Sequence, residues 1–136
     1  MKIIVCLDDN NGMLFNNRRQ SKDREIIKDL EQIIGNNKLL INSFSESLFR
    51  ETPVDITVKE DFLTTAGEAD FCFVENCPVA EHISNISTII IYKWNRRYPG
   101  DFKFDINPEQ AGFTVKDINW FKGFSHEKIT REIYER

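Results

Sequence analysis

A chain of 136 residues, 40% hydrophobic and 29% charged, has room for one core and a composition outside the range of intrinsic disorder. Its net charge of −4 and pI near 5.2 exclude a broad nucleic-acid footprint, which needs a basic excess. The three cysteines, Cys6, Cys72 and Cys77, are odd in number and contain no CxxC pair, so a disulfide framework is not expected.

The run Ile3-Ile4-Val5-Cys6-Leu7 is apolar and rich in β-branched residues, and Asp8-Asp9-Asn10-Asn11-Gly12 ends it with turn formers. It reads as a strand buried on both faces, and it is too short for a signal peptide or a membrane span. The expectation is therefore a cytoplasmic protein without a membrane partner. Met13-Leu14-Phe15 form a short apolar insert. Ser21 reads as the N-cap of a helix whose apolar stripe is Ile26, Ile27, Leu30, Ile33 and Ile34, stopped by Gly35-Asn36-Asn37.

Lys38-Leu39-Leu40-Ile41 reads as a second buried strand, and Ser43 with Glu46 as a capping box opening a helix that Pro53 breaks. Ile56 to Val58 is a short strand and Phe62 to Ala66 a short helix. Phe71 to Val74 is a buried strand stopped by Glu75-Asn76-Cys77-Pro78, Pro78 starts a helix through His82 and Ile83, and Thr88 to Tyr92 is a further strand. Strands alternating with helices predict a parallel sheet with right-handed crossovers. Beyond Trp94, Pro99-Gly100, Asn107-Pro108 and Gly123 separate three short segments, Phe102 to Ile106, Phe113 to Ile118 and Ile129 to Tyr134. These read as antiparallel edge strands, although the last also suits a helix. The expected architecture is a single α/β domain over residues 1–136, with a mostly parallel central sheet, flanking helices and antiparallel C-terminal strands.

In this order the segments resemble dihydrofolate reductase. Ile3 to Met13 is similar to that family's first strand and mobile loop, and Lys38 to Leu48 to its second strand and following helix. Ile89-Ile90-Ile91-Tyr92 leads to Tyr98-Pro99-Gly100-Asp101-Phe102-Lys103-Phe104, similar to a Gly-Asp-x-x-Phe turn, and Ile133 to Arg136 resembles the last strand. The resemblance implies a dihydrofolate-reductase-like fold, and it places Asp23 near the family's proton-relay acid at the start of the first long helix. Asp23 is the candidate catalytic residue on that ground; an acid at a helix start also favours the macrodipole.

The nucleotide side departs from the family pattern. Asn42-Ser43-Phe44-Ser45 stands where the family has Gly-Arg-x-Thr/Ser, and Glu75-Asn76-Cys77-Pro78 stands where it has a Gly-Gly pair. Close backbone approach needs glycine, and Glu75 repels phosphate, which puts NADPH in doubt and leaves the cofactor unassigned. The chain also resembles small bacterial proteins often labelled ribonuclease Z. That label lacks chemical support, because His82 and His126 are the only histidines and form no zinc-hydrolase motif.

The carboxyl ends of parallel strands are where such sheets place ligands. Asp8, Asp9, Asn11, Asp23, Asn42 and Glu75 are expected to line a crevice there, with Arg18 and Arg19 at its rim. The same groups also suit turn formation. Arg18-Arg19 and Trp94-Asn95-Arg96-Arg97-Tyr98 combine guanidinium forks with aromatic or amide neighbours, which suits anion binding or stacking as well as a solvated loop. The imidazole of His126 is suited to proton transfer, but no partner for it can be assigned from the sequence. The leading functional reading is a protein that binds a small ligand or a protein partner without standard reductase activity. The alternative is a divergent enzyme, either a reductase with altered cofactor use or a ribonuclease or phosphodiesterase using the acidic crevice. No metal site and no oligomeric state follow from the sequence.

Overall fold

In the β1 strand, Lys2–Leu7, the side chains alternate between two apolar faces, and this alternation organises the molecule. The computed structural model describes all residues, Met1 to Arg136. Ten strands are present: β1, β2 (Gly12–Phe15), β3 (Arg18–Arg19), β4 (Lys38–Ile41), β5 (Asp55–Val58), β6 (Phe71–Phe73), β7 (Thr88–Lys93), β8 (Phe102–Lys103), β9 (Thr114–Phe121) and β10 (Ile129–Glu135). The main sheet has seven strands in the order β5-β4-β6-β1-β7-β10-β9, and β3-β2-β8 form a small second sheet. From β5 to β7 every pairing is parallel; β10 runs antiparallel to both β7 and β9. β1, β4, β6 and β7, the expected interior strands, all have a neighbour on each side.

Ile3, Val5, Leu7, Leu40, Cys72, Ile89 and Ile91 face one core, which Phe62, Val79, Phe104 and Phe113 complete. Ile4, Leu39, Ile41, Phe71, Phe73, Ile90 and Tyr92 face the other, against helix α1, Arg24–Ile34. Ile26, Leu30 and Ile34 are the buried stripe of that helix, as the 3.6-residue period predicts. Tyr92, buried among them, donates its hydroxyl to Asp29 Oδ2 at 2.6 Å, and Arg131 from β10 clasps the same carboxylate at 3.0 Å. This satisfies the polar end of an otherwise apolar ring and ties α1 to two strands.

Several elements differ from their sequence reading. The helix cap is Asp23, whose carboxylate accepts from the Glu25 amide at 2.9 Å; Ser21 lies before it and caps nothing. Ser43–Phe49 and Ala80–Asn85 are 3₁₀ helices. The Ser43 side chain makes no cap: the N-cap position falls on Asn42, and the Ser43 amide donates to the Glu60 carboxylate. A second α-helix, α2, is a single turn at Phe62–Thr65. Met13-Leu14-Phe15 belong to β2, which turns into β3 through Asn16 and Asn17, both at positive φ, the two-residue hairpin geometry that asparagine tolerates. The C-terminal segment is a strand, and β10 lies inside the sheet while β9 forms its edge. No helix is long and apolar enough to cross a membrane.

If α1 is held by its buried stripe, Leu30→Ala loses about 3 kcal/mol in urea denaturation, the range for a fully buried leucine. Ile118→Ala, on the exposed edge strand, changes stability by about 0.5 kcal/mol or less.

Candidate ligand site at the start of helix α1

The N-terminus of α1 meets the connection between β9 and β10, and one carboxylate joins them. Asp23 Oδ1 accepts from the Glu25 amide at 2.9 Å and the Phe124 amide at 2.8 Å. Its Oδ2 accepts from the Ser125 amide at 3.0 Å and faces His126 Nδ1 at 2.8 Å. The Asp23 side chain is fully buried. Burial works against its charge, but the Phe124 amide, His126, and the Ser125 and Glu25 amides outweigh it and bring the carboxyl down to about 2. The connection can approach this closely because residue 123 is glycine. A Cβ there would lie 2.6 Å from Asp23 Oδ2 and 2.9 Å from the His126 carbonyl oxygen.

An ionised carboxylate only accepts, so Nδ1 of His126 carries the proton it shares with Asp23. In the neutral ring Nε2 is then an acceptor. Two hydroxyls reach it: Ser21 Oγ at 3.0 Å and Tyr98 Oη at 3.1 Å. The Trp94 ring stacks on the imidazole at 4.6 Å between centroids, and His126 is buried.

Beside this cluster lies a cavity of about 450 Å³. Ile26, Ile27, Leu48, Phe73, Trp94 and Phe124 supply its apolar wall, and Ser21, Lys22, Asp23, Arg24, Ser47, Glu75 and Ser125 its polar groups. Cys6 also lines it, but burial, reinforced by Glu75, pushes its thiol well above the ordinary range, so it offers no thiolate. Of the residues expected in a crevice, Asp23 and Glu75 meet in this cavity. Glu75 is clasped by Arg19, Nε to Oε2 at 2.8 Å and Nη2 to Oε1 at 2.9 Å, and receives the Ser45 hydroxyl at 2.8 Å. Arg18 and Arg19 line a separate hollow with Phe15, Gln20, Tyr98 and Pro99.

Asp8, Asp9 and Asn11 sit on the β1–β2 turn, away from the cavity. Asp8 Oδ1 accepts from the Asn10 and Gly12 amides, and its Oδ2 from Gln20 Nε2 and the Tyr98 amide, so it shapes the turn and holds Tyr98 in place. Asp9 and Asn11 are exposed. Asn42 is buried at the end of β4 and donates to Asn76 Oδ1 at 2.8 Å. No group of His, Cys, Asp and Glu side chains is arranged to hold a metal ion. The residues that sequence reasoning could not assemble are Ser21, Trp94, Tyr98 and His126. His126 lies 103 positions from Asp23, and no local spacing connects them.

The chain superposes on dihydrofolate reductase from Enterococcus faecalis, in its complex with NADP(H) and RAB-propyl, with a TM-score of 0.67 over 99% of this chain and 95% of that one. The fold is dihydrofolate-reductase-like. Sequence identity with that enzyme is 12%, so the likeness is one of architecture. No family model and no curated protein matches the sequence.

Because Asp23 is ionised in the folded chain to a lower pH than in the unfolded chain, its contribution is complete above the ordinary carboxylate range and is lost as pH falls towards 2. Asp23→Asn is expected to lower stability by about 2 kcal/mol at pH 7. In denaturant titrations repeated at descending pH, the gap to the parent protein closes as the solution reaches pH 2; a gap that persists there contradicts this assignment.

Proposed function

We propose that this protein binds a small organic molecule with an apolar body and an anionic group in the cavity at the start of α1, without the chemistry of a standard reductase. The observation that carries the reading is the state of the charges in the cavity wall. Both carboxylates have their oxygens occupied from within: Asp23 by three amides and an imidazole, and Glu75 by a hydroxyl and a two-point arginine clasp that also offsets its charge. The cations are less committed. Lys22 is exposed, and Arg24 reaches Glu25 only at 4.0 Å while lying over the Phe124 ring at 3.7 Å. The net attraction offered to a guest is therefore for an anion, and the apolar wall suits a ring or an alkyl body.

The same observation argues against reductase chemistry. A proton-relay carboxylate must turn an oxygen towards its substrate, and both oxygens of Asp23 already hold protein donors at 3.0 Å or less. The Enterococcus faecalis structure is a complex with NADP(H). In this chain Arg19, an arginine near the ends of β4 and β6, is held by Glu75 and is not free to take a phosphate. Binding of NADPH is accordingly not expected.

The test is a fluorescence titration in a Trp120→Phe background, which leaves Trp94 as the single indole of a chain with two tryptophans. Benzoate and naphthoate should quench it saturably, and Arg24→Ala should weaken them about tenfold, the loss of roughly one charge-assisted contact. NADPH should produce no saturable change. Equal or tighter binding of naphthylamine-type cations, or micromolar binding of NADPH, overturns the reading.

A further inference from the structure

Ser21 has no capping task. It precedes the helix without capping it, because Asp23 does so, and the hydrogen bond its hydroxyl makes is to His126 Nε2. It is half-buried and lines the cavity. Behind it the imidazole is oriented by a buried, ionised carboxylate at 2.8 Å and covered on one face by Trp94. A hydroxyl, an imidazole and a carboxylate in this relation, opening into a cavity, form the constellation of a nucleophile, its base and the group that orients the base.

We infer that Ser21 is a nucleophile for acyl transfer, with His126 as general base and Asp23 as its positioning residue, acting on a small ester with an anionic substituent. The inference rests on the proposed binding of a small anionic molecule in the same cavity. Ser21 Oγ attacks the ester carbonyl carbon as its proton passes to His126 Nε2. The carbonyl π pair moves onto oxygen, then returns to re-form the double bond as the alcohol oxygen departs with its bonding pair and takes the proton from Nε2. Water then attacks the acyl-serine, giving a proton to Nε2, and Oγ leaves with that proton to restore the hydroxyl.

Three features assist these steps. The imidazolium formed in each half-reaction is stabilised by Asp23 and by the face of Trp94. The Glu25 and Ile26 amides are taken by Asp23, whereas the Arg24 amide at the positive end of α1 has no intramolecular partner and is available to a developing oxyanion. Lys22 and Arg24 line the same cavity and match an anionic substituent. Tyr98 Oη opposes the reaction, because it competes with Ser21 for the one lone pair of Nε2.

The experiment uses the full chain with phenylmethanesulfonyl fluoride, which transfers its sulfonyl group to an activated serine with loss of fluoride, and reads adducts by peptide mass mapping, with quenching of Trp94 by benzoate measured in parallel in the Trp120→Phe background. The expected result is a single adduct on Ser21, absent in Ser21→Ala and formed roughly 100-fold more slowly in His126→Gln, the usual worth of a general base. Tyr98→Phe, which removes the competing hydroxyl, should label faster than the parent. This arm decides the matter if circular dichroism finds His126→Gln unfolded, and a rate in Tyr98→Phe no faster than the parent's overturns the inference. Quenching of Trp94 without modification of Ser21 also overturns it while leaving the binding reading intact. Undiminished labelling in folded His126→Gln removes His126 as the base. Absence of both quenching and labelling overturns the binding reading together with this one.

Discussion

Four donors, each within 3.0 Å, converge on the two oxygens of Asp23, and the geometry of the candidate site depends on that convergence. One donor belongs to α1 and three to the connection between β9 and β10, so the carboxylate acts as a joint between a helix on one face of the sheet and a hairpin at its edge. Burying a charge is costly unless its hydrogen bonds are complete, and here they are complete. Gly123 allows the close approach, and the apolar stripe of α1 sets the height at which Asp23 meets the loop. Moving either would separate His126 from the carboxylate that fixes its tautomer.

An ion pair does comparable work across the cavity. Arg19, on the small sheet, and Glu75, beyond β6, bind each other through two parallel hydrogen bonds. The pair couples the small sheet to the central strands and removes two charges from the surface a ligand would meet. Ser45 and the Phe44 carbonyl add further partners, which makes the arrangement a network. What remains for recognition is an apolar wall, several hydroxyls and the cations Lys22 and Arg24. The architecture is thus shared with a dihydrofolate reductase while the charges in this cavity are largely spent on holding the protein together.

Asp8 illustrates how the same residue types serve different ends. Adjacent acids at the end of a central strand suit a ligand site by topology. In the folded chain both oxygens of Asp8 are occupied by the turn that follows and by the Tyr98 amide. Its influence on the site is indirect, through the position of Tyr98 and hence of the hydroxyl that reaches His126. Turn chemistry and ligand chemistry draw on the same acceptors, and only the surroundings decide which is realised.

The sequence by itself determined the sheet and its main helix. Continuous β-branched runs at Ile3 to Leu7 and Thr88 to Tyr92 can be buried only between two apolar layers, and the 3.6-residue stripe from Ile26 to Ile34 can face only one of them. Those are local patterns with a fixed period. The cap at Asp23 in place of Ser21 depended on amides from a distant loop. The 3₁₀ form of Ser43–Phe49 and the lone turn of α2 depended on packing against neighbours. The pairing of β10 inside the sheet and β9 at its edge depended on non-local hydrogen bonds. The grouping of Ser21, Asp23, Tyr98 and His126 was likewise a product of tertiary structure alone, because hydrogen bonds between side chains act across about 3 Å of space and are indifferent to the 105 positions that separate Ser21 from His126.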